Sequence, residues 1–330
     1  MFNSALKKLL ERLNPKRQDV PSERVFVAAF GKHPGWDDHI DDIGLETDVF
    51  VAAKRILYVQ GIGGNIDSGR WDKLEEHQLM EKFKHAFVWY LDSSVIVGRM
   101  WSSRDGKGRT SYPMVVCVQC WQLPLEWVVK NILPLLERIE ESCVATTSAA
   151  DVVMTMENAQ KQYRELANQC QVSSDGPPVY PDALGKLAEH PEMGPHREGF
   201  LRIMYHMERE VARYYPDTGK GKSLRPTSLR VPVRPSAVLE NTLLWVSFLV
   251  GKFGATTPIL VLMPLDENWM DIVIGEPTDL QLYCLRASLS VIPLTNSIPY
   301  NMGPEFIERA NKLIDDSRSG KAEGSARTPA

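Results

Sequence analysis

The chain reads as an α/β protein with an α+β tendency, in which a mixed, partly antiparallel sheet is flanked by helices. Three observations predict this. Short apolar runs bounded by Gly and Pro alternate with longer stretches of helical periodicity along the 330 residues. Two of those runs, Ser94–Trp101 and Tyr112–Cys120, are joined by Ser102–Ser111 alone, which is far too short for a crossover helix, so they form an antiparallel hairpin. A composition of 43% hydrophobic and 24% charged residues is that of an ordinary globular protein able to bury a substantial core.

The elements follow in order. Phe2, Leu6, Leu9, Leu10 and Leu13 recur at helical spacing and predict a short amphipathic helix over residues 3–13, stopped by Asn14-Pro15. Too short to hold alone, that helix is expected to dock on another surface, with residues 1–20 forming a docking helix and linker. Val25–Phe30 is the first core strand. Val49–Gln60 is a helix that Gly61-Ile62-Gly63-Gly64 is expected to end. Glu75–Lys84 is rich in helix formers, and Phe87–Leu91 is ambiguous. After the hairpin, Leu125–Ser142 is helical with a break or kink at Pro134, and Ala149–Cys170 is a second long helix.

The main domain is expected over residues 21–316, with a possible sub-boundary in the Ser/Asp/Gly/Pro loop at 172–181. Phe200–Tyr215 is helical. Leu229–Pro235 is a strand whose prolines place it at a sheet edge, and Val238–Phe248 is an apolar helix. Thr257–Met263 and Met270–Ile274 are strands around an Asp-Glu-Asn turn, and Leu280–Ala287 and Pro304–Ile314 close the fold. Residues 317–330 are small and polar, the composition of a disordered tail.

Bulk properties exclude several function classes. A formal charge of −4 gives no general pull toward nucleic acid or anionic lipid, and basic–aromatic interleaving is absent. No run approaches the ~20 apolar residues of a membrane span, and residues 1–19 lack the apolar core of a secretory signal. A cytoplasmic protein is expected, its five scattered cysteines being buried free thiols. Cys117 and Cys120 lie in a strand, where positions three apart face opposite ways, so they make neither a redox pair nor half a metal site.

Gly221-Lys222-Ser223 imitates the end of a phosphate loop. Pro216 stands where the first glycine belongs, however, and a helix precedes it where a strand is needed. Lys220, Lys222 and Arg225 are instead a basic loop suited to an acidic or phosphorylated partner.

The most informative residues form two clusters. The first follows the opening strand, with Gly31, Lys32 and Pro34 and then Trp36, Asp37 and Asp38. The second spans an apolar strand ending at Gly98, a charged turn, and Gly108, Arg109, Tyr112 and Pro113 before the next strand. Together they resemble the TagF/ImpM family of type VI secretion accessory proteins. In that pattern a strand leads into Gly-Lys-x-Pro and a Gly-Asp-Phe element, and a later strand ending in Gly precedes Gly-Arg-x-Phe-Pro. Here Asp37 or Asp38 stands for the family aspartate and Tyr112 for the aromatic, while Trp36-Asp37-Asp38-His39 replaces Gly-Asp-Phe and Asp41 and Asp42 extend the acidic run.

The resemblance covers residues 25–120. It implies a mixed α/β fold and a non-enzymatic role: post-translational control of secretion-apparatus assembly through contacts with apparatus or signalling-scaffold proteins. It implies no cofactor, and membrane association at most through a partner.

Read as chemistry, His33, Asp37, Asp38, His39, Asp41 and Asp42 are imidazole and carboxylate ligands of the kind that hold zinc or manganese, which makes a metal-dependent hydrolase the competing reading. Their spacing fits no fixed ligand pattern, and a solvated or partner-facing loop is favoured, with no metal. Arg104, Lys107 and Arg109 form a charged tip expected to face water. If the two clusters meet, Arg109 pairs with Asp37 or Asp38 and fixes one loop against the other. No Gly-x-Ser-x-Gly elbow accompanies Ser102 or Ser111.

Overall fold

The computed structural model describes residues 23–171, 180, 182–210 and 226–318. The expected docking helix at 3–13 and the basic loop of Lys220, Lys222 and Arg225 lie outside the described residues. Seven strands build one sheet: β1 (Val25–Gly31), β2 (Lys84–Leu91), β3 (Ser94–Ser102), β4 (Pro113–Trp121), β5 (Thr227–Pro232), β6 (Ile259–Pro264) and β7 (Trp269–Ile274). Their order is β1-β4-β3-β2-β6-β7-β5, and every pairing is antiparallel. This is the α/β class at its α+β end. The sheet runs unbroken from the strands before residues 172–181 to those after them. Pro232 ends an edge strand, where its missing N–H leaves no ladder position empty.

Helices cover both faces, which is why strands such as Ile259–Pro264 read as continuous apolar runs in place of an alternation. In β1, Val25, Val27 and Ala29 point into one core, built with the long helix Ala149–Gln169 and the helices Leu125–Asn131 and Val238–Phe253. Ala28 and Phe30 point into the other, built with the segment after β1 and with Leu282 and Leu285. Cys117 and Cys120 fall in opposite cores, and all five cysteines are buried. At Pro134 the chain breaks into Leu125–Asn131, a single tight turn at Leu133–Leu135, and Leu136–Val144.

Three expectations are corrected. The helix from Asp48 does not stop at its glycines. It passes from Asp48–Ala53 into a ten-residue π-helix, Lys54–Gly63, and on through Gly64–Asp67. Gly61 is required there by packing, since a Cβ on it would stand 2.2 Å from the Leu282 side chain. Glu75–Lys84 is not a helix: one turn at Glu76–Gln78 precedes β2, which contains all of Phe87–Leu91. The final helix, Pro304–Arg318, uses the first two residues of the expected tail. Ser317 is buried and Arg318 pairs with Glu189 at 2.6 Å.

Candidate functional site

The two sequence clusters meet because β1 and β4 are antiparallel neighbours. The end of β1 therefore lies beside the start of β4, where the 102–111 turn arrives. Gly31 makes the join. Its φ of +112° is open to glycine, and a Cβ would stand 2.3 Å from the Pro113 carbonyl oxygen, which also accepts the Lys32 N–H at 3.2 Å.

Beyond Gly31 the chain turns Lys32 inward, where it is 3% exposed. Its ammonium donates to Asp105 Oδ2 at 2.5 Å, and the Asp105 carboxylate is closed to solvent. That oxygen also takes Arg109 Nε at 2.7 Å, while Oδ1 takes the backbone N–H groups of Lys107 and Arg109, each at 3.0 Å. Burial alone would raise the Asp105 pKa, but the hydrogen bonds from Lys32 and Arg109 and the Lys32 charge hold it well below the carboxylate range.

Arg109 then spans the two loops. Its Nη2 donates to the Asp37 carbonyl at 2.9 Å and lies 3.1 Å from Asp38 Oδ1. The Gly106 N–H donates to the Trp36 carbonyl at 2.7 Å. Asp38 also meets His39 Nδ1 at 3.0 Å, and Lys32 lies 3.6 Å away. Burial acts to raise the Asp38 carboxyl, and Arg109, His39 and Lys32 outweigh it and hold it low.

Most of the sequence-selected residues therefore assemble, in roles not all foreseen. Asp38 is the side-chain partner of Arg109. Asp37 contributes its carbonyl, while its carboxylate stays exposed, 4.0 Å from Lys107. Pro34 and Trp36 carry the turn, and the Trp36 indole donates to Asp41 at 3.3 Å. Gly108 has a φ of +81° at the loop's open side. Gly98 stands apart in mid-strand, where a Cβ would come 2.2 Å from the Phe87 ring. Arg104 takes no part in the network, and the charged tip is not wholly in water, because its Asp105 is the buried acceptor at the centre. Sequence reasoning passed over Asp105. The available signal was its place ahead of Gly106, where a turn aspartate accepts N–H groups from the residues that follow.

The Asp/His loop does not converge as ligands. His33 is buried: the Gly35 N–H donates to its Nδ1 at 3.0 Å, so Nε2 carries the proton and donates to the Cys143 carbonyl at 2.9 Å. Both ring nitrogens are thus engaged. Among the described residues no group of three or more His, Cys, Asp or Glu side chains is placed to hold a metal ion.

Beside the locked loops lies a cleft of about 260 Å³ that sequence reasoning did not foresee. It is lined by His39, Tyr58 and Tyr112, by the carboxylates of Asp42 and Asp67, and by Gly31 and Gly63. Among the described residues no helix is long and apolar enough to cross a membrane. In comparisons with known proteins, the chain matches no protein-family model and no curated protein.

Proposed function

We propose that this protein is a non-enzymatic regulatory or scaffold protein that acts in the cytoplasm. In this reading it controls assembly of a type VI-like secretion apparatus by binding apparatus or signalling-scaffold components, in the manner of the TagF/ImpM proteins it resembles. The observation that carries the reading is the fate of the motif side chains. Lys32, Asp105 and His33 are buried and hydrogen-bonded to partners inside the protein. The exposed charges of Asp37 and Lys107, with those of Asp38 and Arg109, form the rim of a two-loop platform joined by these bonds. A hydrogen-bonded interior under a charged rim suits recognition of another protein, because loops joined in this way lose little freedom on binding.

Affinity purification of the tagged protein from its native host tests this. Recovery of components of a membrane-associated secretion machine is expected; recovery of unrelated metabolic enzymes alone contradicts it. Metal analysis of protein purified without chelator addresses the hydrolase alternative at residues 33–42, with less than ~0.1 equivalent of any transition metal expected.

A further inference from the structure

The π-helix Lys54–Gly63 forms one wall of the cleft described above. A π-helix is rare in any protein and is found mostly as a single turn at functional sites; here it runs for ten residues. Gly63 lies against Tyr112, where a Cβ would make an ordinary contact 3.5 Å from the Tyr112 hydroxyl. The lining is aromatic, with Tyr58 on the π-helix itself and Tyr112 and His39 beside it. His39 packs edge-on against Tyr58 at 5.8 Å and against Tyr112 at 5.1 Å, and the two tyrosines lie 5.5 Å apart.

The charges of the cleft are unbalanced. Lys54 is its one lysine or arginine, and Asp42 already holds it. Asp67 makes no ion pair among the described residues. Tyr112 and Asp67 line the same cleft, and burial and then the Asp67 charge raise the Tyr112 hydroxyl pKa. An aromatic lining beside an unpaired carboxylate attracts a cation and repels an anion.

The cleft also continues into a shallower groove of about 590 Å³, with which it shares Asp42, Lys54 and Val59. On that side Val51 and Val59 are 54% and 55% exposed and line the groove with Leu45, among the charges of Asp42, Glu46, Lys54 and Arg55. Exposed valines set among charges of both signs beside a cation-attracting cleft match a peptide, because a free small cation has no use for Val51 and Val59.

We propose that the cleft takes the guanidinium or ammonium group of an Arg or Lys side chain, presented by an apolar segment of a partner protein that lies along Val51 and Val59. This rests on the binding-protein reading above and names the chemistry of the partner.

The test is titration of full-length protein, isotope-labelled at tyrosine, with the capped tripeptide Leu-Arg-Leu, monitoring the ring resonances of Tyr58 and Tyr112 by NMR. Both are expected to shift saturably. The same peptide with neutral citrulline in place of arginine is expected to bind at least ~10-fold more weakly, and Asp67→Asn, at an exposed position, is expected to weaken the arginine peptide to a similar degree. Equal binding of the citrulline peptide, or no shift at either tyrosine, overturns the cationic cleft. Binding of capped arginine alone as tightly as the tripeptide overturns the peptide assignment in favour of a free small cation. Affinity capture separates this from the parent reading: if Asp67→Asn recovers the same secretion components as wild type, the cleft proposal falls and the binding-protein reading stands.

Discussion

Lys32 and Asp105, 73 residues apart in the chain, form a buried ion pair with an Nζ–Oδ2 distance of 2.5 Å that joins the loop after β1 to the loop before β4. Such a pair has a one-sided energetics. Making it gains little over an apolar contact, but removing one partner strands the other charge. Asp105→Asn should therefore lower Tm by roughly 5–10 °C, and adding Lys32→Met to that variant should restore part of the loss. Thermal melts of the two variants check this. The sign with pH follows from the depressed carboxyl: its contribution is complete above the ordinary carboxylate pKa of about 3.9 and is lost as pH falls toward the folded value. Asp105→Asn should thus show a flatter acid limb than wild type.

Arg109 is coupled to Asp105 more than to Asp37. Its side chain is half exposed and that of Asp38 is 65% exposed, so the pair between those two is a screened surface contact. Asp37 offers only its carbonyl, which an alanine retains. Arg109→Ala should cost about 1–2 kcal/mol in chemical denaturation, chiefly through the lost bonds to Asp105. Combined with Asp37→Ala it should be additive within about 0.5 kcal/mol, and with Asp105→Asn clearly non-additive. A coupling larger with Asp37 than with Asp105 would place the joint elsewhere.

Two motif glycines should differ in cost. Gly31 has both a positive φ and a backbone oxygen 2.3 Å from where a Cβ would sit; Gly108 has a positive φ of +81° and nothing within 4 Å. Gly108→Ala should cost about 1–2 kcal/mol, the backbone penalty alone. Gly31→Ala adds a clash that only moving β1 off β4 relieves, for about 2–4 kcal/mol in all. Urea unfolding of the two variants decides the order.

His85, buried on β2, controls stability on the acid side. Burial first, and then the nearby Arg230 and Arg286 charges, push its pKa down to about 3. Between that value and the unfolded pKa of about 6.5 the unfolded chain binds a proton that the folded chain refuses. Stability should therefore fall with decreasing pH across this window, by on the order of 1 kcal/mol per pH unit from this residue. In His85→Gln the slope between pH 4 and 6 should flatten by about one proton in a urea series.

Much of the fold was legible because its signals are local. The hairpin of β3 and β4 follows from a loop too short to cross over, the edge position of β5 from Pro232, and the kink after Asn131 from Pro134. The continuation of the helix past Gly61–Gly64 was not, because Gly61 answers to Leu282, far along the chain, and local propensity is blind to that packing. The same holds for the site. The pairing of Arg109 with the acidic loop could be read from the two motifs. The centring of the network on Asp105 depends on Lys32 turning inward beneath Gly31, and the cleft depends on the π-helix bringing Gly63 opposite Tyr112.

The locked loops are proposed to bind a secretion apparatus through their charged rim. The most direct test of this is quantitative affinity capture from the native host, comparing wild type with the rim variant Asp37→Ala, Lys107→Ala. Both changes lie on exposed side chains outside the buried ion pair, so the variant should melt within about 2 °C of wild type. The account predicts that wild type recovers components of a secretion machine and that the rim variant loses most of them. Equal recovery of those components by both proteins, or their absence from the wild-type sample, would contradict it.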